Sequence, residues 1–298
     1  MQIAFFSAHR YDIEALERAA KEGDSAKLAE GSEAVCIFVN DVADEATICV
    51  LHAGGTKVLL LRCAGYEIVN IQVTKELEMT VLRVPVYSPY AVADHTAALM
   101  LTLKRKINRS YNRTRELNFR LEGLLGFDIN GKRVGVVGTG KIGALFARIA
   151  AGFGCKVLAY NIKESPDALR FGAEYVSQGE VWARSDIISL HCPLLPSTKH
   201  VINADSIAKM KHGVMLISTS RGGLIDTKGL AKEGPYFYSI GRGIIADETL
   251  ARLFTFPNVV ITGHQAFFTQ EALDNIGHTT IKNFKAYEAK AELVNEVK

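Results

Sequence analysis

Residues 132–143 read KRVGVVGTGKIG, and no other stretch restricts the fold so tightly. The β-branched run RVGVV ends directly in Gly138, Gly140 and Gly143, and the helical pattern ALFARIAAGFG follows at once. A strand that turns straight into a helix needs a residue tolerant of unusual backbone angles, here Gly138. Gly140 leaves the backbone open to a bulky anion, and Gly143 permits close strand–helix contact. The N–H groups that open a helix lack partners within it and carry partial positive charge. Glycines alone often do no more than turn a chain. Placed between a strand and a helix, with a second strand KVLAY beyond, they predict a phosphate-binding βαβ unit. Gly138, Thr139, Gly140, Lys141, Ile142 and Gly143 are therefore candidate contacts to a dinucleotide.

The residue after KVLAY should be Asp or Glu if it grips a ribose diol. It is Asn161, which accepts a hydrogen bond but carries no charge to repel a 2′-phosphate, and Lys163 follows closely. NAD is the expected cofactor and NADP the alternative.

Short apolar runs alternate with helical spacing through most of the chain. The candidate strands are QIAFFSA, EAVCIFVN, VLLLRCA, TVLRVPV, RVGVVG, KVLAYN, IISLHCP, VMLISTS and NVVITG. Continuous rather than alternating apolar strands imply parallel sheets covered on both faces, a doubly wound α/β architecture. The pattern starts twice, at residue 2 and at residue 132, with one long helix expected from Ser88 to about Asn118. Two domains follow: a first of residues 1–99 completed by 268–298, and a dinucleotide domain of residues 100–267.

Polar residues stand where strands end, which is where such sheets place their ligands. Thr219, Ser220 and Arg221 follow VMLIS; His191, Cys192 and Pro193 follow IISL; His264 follows NVVITG. A guanidinium can hold a carboxylate in two parallel hydrogen bonds, and an imidazole can pass a proton near neutrality. Taken singly, Arg221 reads first as a solvated or salt-bridged residue and His264 as a satisfied core histidine.

The segments LLRCAG (60–65), RVPVYSPYAVADH (83–95), STSRGGLID (218–226) and TGHQAFFTQEAL (262–273) resemble the D-2-hydroxyacid dehydrogenase family, in particular its D-lactate dehydrogenase branch. The likeness runs from about residue 58 onward. It implies a Rossmann-like cofactor domain and a flavodoxin-like substrate domain with an interdomain cleft. It also implies reduction of pyruvate or another small 2-keto acid by NADH. On the matching motifs, Arg221 binds the substrate carboxylate, His264 is the acid and base, and a Glu raises the histidine pKa. The Ala64 and Gly65 amides hold the carboxylate, and Tyr87 flanks the substrate. The family commonly forms homodimers.

The likeness breaks twice. Between residues 20 and 33 the second strand of the first domain is missing, and at residues 232–233 a strand ending in an L-D-V-Y-E-type motif is missing. Glu233, before Gly-Pro, is the candidate for the catalytic Glu. Either the protein is truly shortened, and then impaired, or residues are missing from the sequence as written. The intact motifs on either side favour the second. Asn70 stands where the family usually has Asp and is expected to loosen its loop.

Composition removes other classes. Lys and Arg total 35 against 32 acidic residues, and no long charge run occurs, so nucleic acid is not expected as a partner. No apolar stretch is long enough to span a membrane, and the N-terminus reads as a strand and helix rather than a signal peptide. The five cysteines lack a C-x-x-C pair and read as free thiols of a cytoplasmic protein. No metal-ligand spacing is present.

Overall fold

The computed structural model describes residues 3–7, 9–20, 32–39, 41–227 and 252–298. The chain divides into two compact units, residues 1–88 with 267–298, and residues 89–266.

The first unit is a four-stranded parallel sheet in the order β1 (Ile3–Phe5), β2 (Ala34–Ile37), β3 (Val58–Leu61), β4 (Thr80–Arg83). Its strands are apolar except at Thr80 and Arg83, the two ends of β4, because both faces are covered. Val35, Ile37, Leu59, Leu61 and Val81 pack on one side with Ile48, and Ala34, Cys36, Val58, Leu60 and Leu82 pack on the other with Phe284. The helices are α1 (Arg10–Ala20), α2 (Glu45–Ala53), α3 (Ile71–Glu76) and the C-terminal helix (Gln270–Glu288). A flavodoxin-like order with its second strand deleted leaves this succession. The stretch where that strand was expected falls largely in residues 21–31, outside the described residues. Asn70 caps α3, its side chain accepting from the Val73 N–H.

The second unit is a five-stranded parallel sheet ordered β7 (Glu174–Tyr175), β6 (Lys156–Tyr160), β5 (Arg133–Val137), β8 (Ile187–Leu190), β9 (Met215–Ser218). This is the 3-2-1-4-5 succession of a dinucleotide-binding sheet. Helices α4 (Pro89–Arg105) and α6 (Lys141–Gly152) cover one face, and α7 (Gln178–Arg184) covers the other with Val181 and Trp182.

Three expectations change. The long helix breaks at Lys106, whose φ of 52° is left-handed, into α4 and α5 (Ile107–Arg115). The domain boundary falls before Pro89 and after Ala266, not at residues 99 and 267. The reason is packing: Ala93, Ala97, Leu99, Met100 and Leu103 of α4 join the core that holds Phe146 and Ala147 of α6. NVVITG (258–263) forms no ladder among the described residues. A strand exists only by pairing, and the neighbour expected for it falls within residues 228–251, outside the described residues.

Candidate active site

The glycine turn behaves as its spacing predicts. Gly138 has φ +93°, and a Cβ there would lie 2.6 Å from the Cys192 nitrogen. A Cβ on Gly143 would lie 1.9 Å from the Gly138 carbonyl oxygen, so only glycine lets α6 start this close to β5. A Cβ on Gly140 would meet nothing within 4 Å, and Gly140 and Lys141 are exposed. An open space thus faces the first N–H groups of α6, and the residues present fit a pyrophosphate.

The neighbouring side chains serve the turn more than the groove. Thr139 is buried, its hydroxyl 2.6 Å from that of Tyr175, which also accepts from the Ser165 N–H. The Asn161 amide donates to the Lys163 carbonyl at 2.8 Å, so its oxygen stays available. Ile142 packs partly on the core. His191 is turned inward: Nε2 lies 2.9 Å from the Ser189 hydroxyl and the ring packs against Phe146. Burial drives its pKa down to about 3, so it is neutral, and what it can offer a cofactor is backbone. Cys192 is buried too, its backbone closing the back of the Gly138 turn. Pro193 continues from it, and its carbonyl accepts from the Thr198 hydroxyl.

Beyond β9, Thr219 lies 2.9 Å from the Thr96 hydroxyl, and the Ser220 hydroxyl donates to the Leu190 carbonyl. Both fix the chain that leads to Arg221, which opens a short 3₁₀ turn (Gly222–Leu224). Arg221 and His264 are 43 positions apart in sequence, yet the guanidinium charge depresses the His264 pKa, second to the effect of burial. His264 has φ +55° and its N–H bonds the Thr262 carbonyl. A non-glycine residue in the left-handed region is uncommon and concentrates where geometry serves function. The pKa-raising Glu implied by the resemblance has Glu233 as its candidate, which lies outside the described residues. Among the described residues, the influences on His264 all favour the neutral ring.

One residue that the sequence analysis does not single out is His95: its Nε2 lies 3.1 Å from the Thr262 hydroxyl, so it braces the turn that carries His264. Its presence in YSPYAVADH was the available signal.

In the first unit, the turn after β3 presents Ala64 and Gly65. Among the described residues neither N–H donates a hydrogen bond, and adjacent free amides form a natural anion nest. Tyr87 sits in an aromatic cluster, 6.5 Å centroid to centroid from Phe267, which also packs on Phe38 and Phe268. Phe267 was visible in HQAFFT but not singled out. Among the described residues no group of acids, histidines and cysteines could hold a metal.

A parallel sheet in this order, with this glycine turn and an imidazole within electrostatic reach of a guanidinium, is the arrangement expected of a dinucleotide-dependent oxidoreductase. Residues 97–266 match the family model for the NAD-binding domain of D-isomer-specific 2-hydroxyacid dehydrogenases. The chain is 40% identical to a D-lactate dehydrogenase of Escherichia coli, with all of both chains covered. That alignment runs to 328 positions against 298 residues here, so the relative carries segments without counterpart. A solved apo D-lactate dehydrogenase from Escherichia coli superposes with a TM-score of 0.94 at 41% identity, covering 100% of both chains. A D-lactate dehydrogenase from Aquifex aeolicus, solved with NAD and lactic acid, gives 0.87 at 30% identity over 99% of each chain. The chain belongs to the D-isomer-specific 2-hydroxyacid dehydrogenase family and is an NAD-dependent enzyme.

Proposed function

We propose that this enzyme reduces pyruvate, or a comparably small 2-keto acid, to the D-2-hydroxy acid. The bound cofactor supplies the hydride to the keto carbon. Arg221 holds the substrate carboxylate through paired N–H bonds and draws electron density from the keto oxygen. His264, in its protonated form, donates a proton to that oxygen, and in the reverse direction its neutral form accepts it. The Ala64 and Gly65 amides add two donors to the carboxylate, and Tyr87 lies beside the substrate. Glu233 is the candidate for pairing with His264.

The observation that carries this reading is the electrostatic coupling of Arg221 to a half-buried His264 on a strained backbone. An anion binder and a proton donor are the two groups that keto acid reduction requires. Two further readings share the fold: a cofactor-sensing protein without turnover, and an inactive relative left by the shortened segments.

The partner set follows. We expect a small keto acid, no nucleic acid and no membrane; no helix among the described residues is long and apolar enough to cross one. A homodimer through the second unit is supported by Leu117, Phe119, Leu121 and Leu125, exposed at 72–87%. A cytoplasmic location fits the buried free thiols Cys36, Cys63, Cys155 and Cys192.

Purified protein mixed with pyruvate and NADH should consume NADH and yield only the D isomer. NADH binding without turnover on any 2-keto acid would favour the sensor or the inactive relative. Sedimentation should give twice the chain mass; a monomer would remove the dimer.

A further inference from the structure

Two arginines that the reaction itself does not use stand at the Cys63–Tyr66 turn: Arg83 bonds it, and Arg62 anchors the chain that enters it. Arg83, the last residue of β4, donates from Nη1 to the Ala64 carbonyl at 2.8 Å, and its guanidinium lies 5.1 Å from the Tyr66 ring centroid. The Cys63 thiol donates to the Gly65 carbonyl at 3.2 Å. Directly before the turn in sequence stands Arg62, only 1% exposed. Its Nη1 lies 2.5 Å from Asp12 Oδ1, and its Nη2 donates to the Phe6 carbonyl at 2.9 Å and to the Ser7 carbonyl at 3.3 Å. Its guanidinium also stands 4.9 Å over the Phe38 ring. One side chain therefore ties the chain after β1, the chain after β2 and the first turn of α1 to the end of β3.

A free amide pair binds an anion well only if its peptide planes do not have to be reordered on binding. Engaging the Ala64 carbonyl from behind fixes the peptide plane between Ala64 and Gly65, and so the direction of the Gly65 N–H. A guanidinium suits this role because its planar fork reaches several acceptors at once, which an ammonium does not.

We propose that Arg83 and Arg62 are positioning residues that hold the 63–66 turn so that the Ala64 and Gly65 amides receive the substrate carboxylate. This inference rests on the assignment of those amides to substrate in the reading above.

The test is steady-state kinetics with pyruvate and NADH on Arg83→Met, Arg83→Lys, Arg62→Lys and Ala64→Pro, with NADH affinity and Tm measured on each. Arg83 is half-buried, so its variants should fold, while Arg62→Lys keeps a charge beside Asp12. Arg83→Met should raise KM for pyruvate about tenfold, with kcat within about threefold and NADH affinity unchanged. Arg83→Lys should recover part of that loss, since one donor can still reach the carbonyl. Arg62→Lys should raise KM as well as lower Tm. A fall in Tm with KM unmoved in both Arg83→Met and Arg62→Lys overturns the positioning role. If Ala64→Pro, which deletes one amide donor, still raises KM in that case, the carboxylate assignment survives alone. If Ala64→Pro leaves KM unchanged too, both fall.

Discussion

The two sheets each offer backbone amides at the ends of their strands, but they prepare them in opposite ways. In the second unit side chains are removed. Gly138 and Gly143 let strand and helix approach until a single Cβ would collide, and Gly140 leaves open space before the α6 amides. In the first unit side chains are added: the buried Arg62–Asp12 pair and the Arg83 contact brace a turn with no glycine until Gly65. A pyrophosphate is large and meets the start of a helix, so clearance decides. A carboxylate is small and meets two amides, so orientation decides.

His264→Ala probes the chemistry that both regions serve, and has the largest expected effect. It should lower kcat by about 10²–10⁴-fold while NADH affinity is kept. An unchanged kcat would remove the imidazole from the reaction.

Breaking the bracing should cost more than breaking a surface pair. Asp12→Ala leaves Arg62 charged and buried, and should cost about 3–5 kcal/mol in denaturant unfolding. Lys211→Met breaks a half-exposed pair with Asp186 and should cost less than about 1 kcal/mol. Equal costs would mean that burial is not what makes Arg62 matter.

Clearance can be tested within one turn. Gly143→Ala should destabilise the second unit by about 1–3 kcal/mol and weaken NADH binding. Gly140→Ala, with open space around its Cβ, should fold normally. Equal stability of the two variants would defeat the crowding argument.

A smaller effect concerns His191, whose folded pKa of about 3 lies below the usual 6.5. The unfolded chain binds its proton first, so this stability is complete above pH 6.5. It is lost as pH falls from 6.5 toward 3, by about 1.4 kcal/mol per pH unit. His191→Gln should flatten that acid limb in unfolding measurements; a limb of unchanged slope would show that His191 is not its source.

Strands buried on both faces are readable because continuous apolar sequence fills them, as in AVCI and VLLL. The glycine turn was readable because each glycine answers a separate steric demand. The break at Lys106 was not, since lysine gives no local sign of a left-handed backbone. Nor were the pairs that join distant positions: Thr139 with Tyr175, His95 with Thr262, Arg62 with Asp12. Each depends on how elements pack, and each supports a site residue without resembling one. NVVITG forms no ladder among the described residues for a related reason: its apolar run is sound, but a ladder needs a neighbour.

The central claim is that His264 delivers the proton, and the pH profile of pyruvate reduction tests it most directly. Burial and the Arg221 charge both hold the His264 pKa below its usual value. The acid form is therefore lost as pH rises, and kcat/KM for reduction should fall through a histidine-type pKa. Glu233→Gln should move that limb to lower pH if this carboxylate faces the ring. In His264→Asn the limb should vanish along with most of the rate. A limb that persists in His264→Asn, at undiminished activity, would contradict the account.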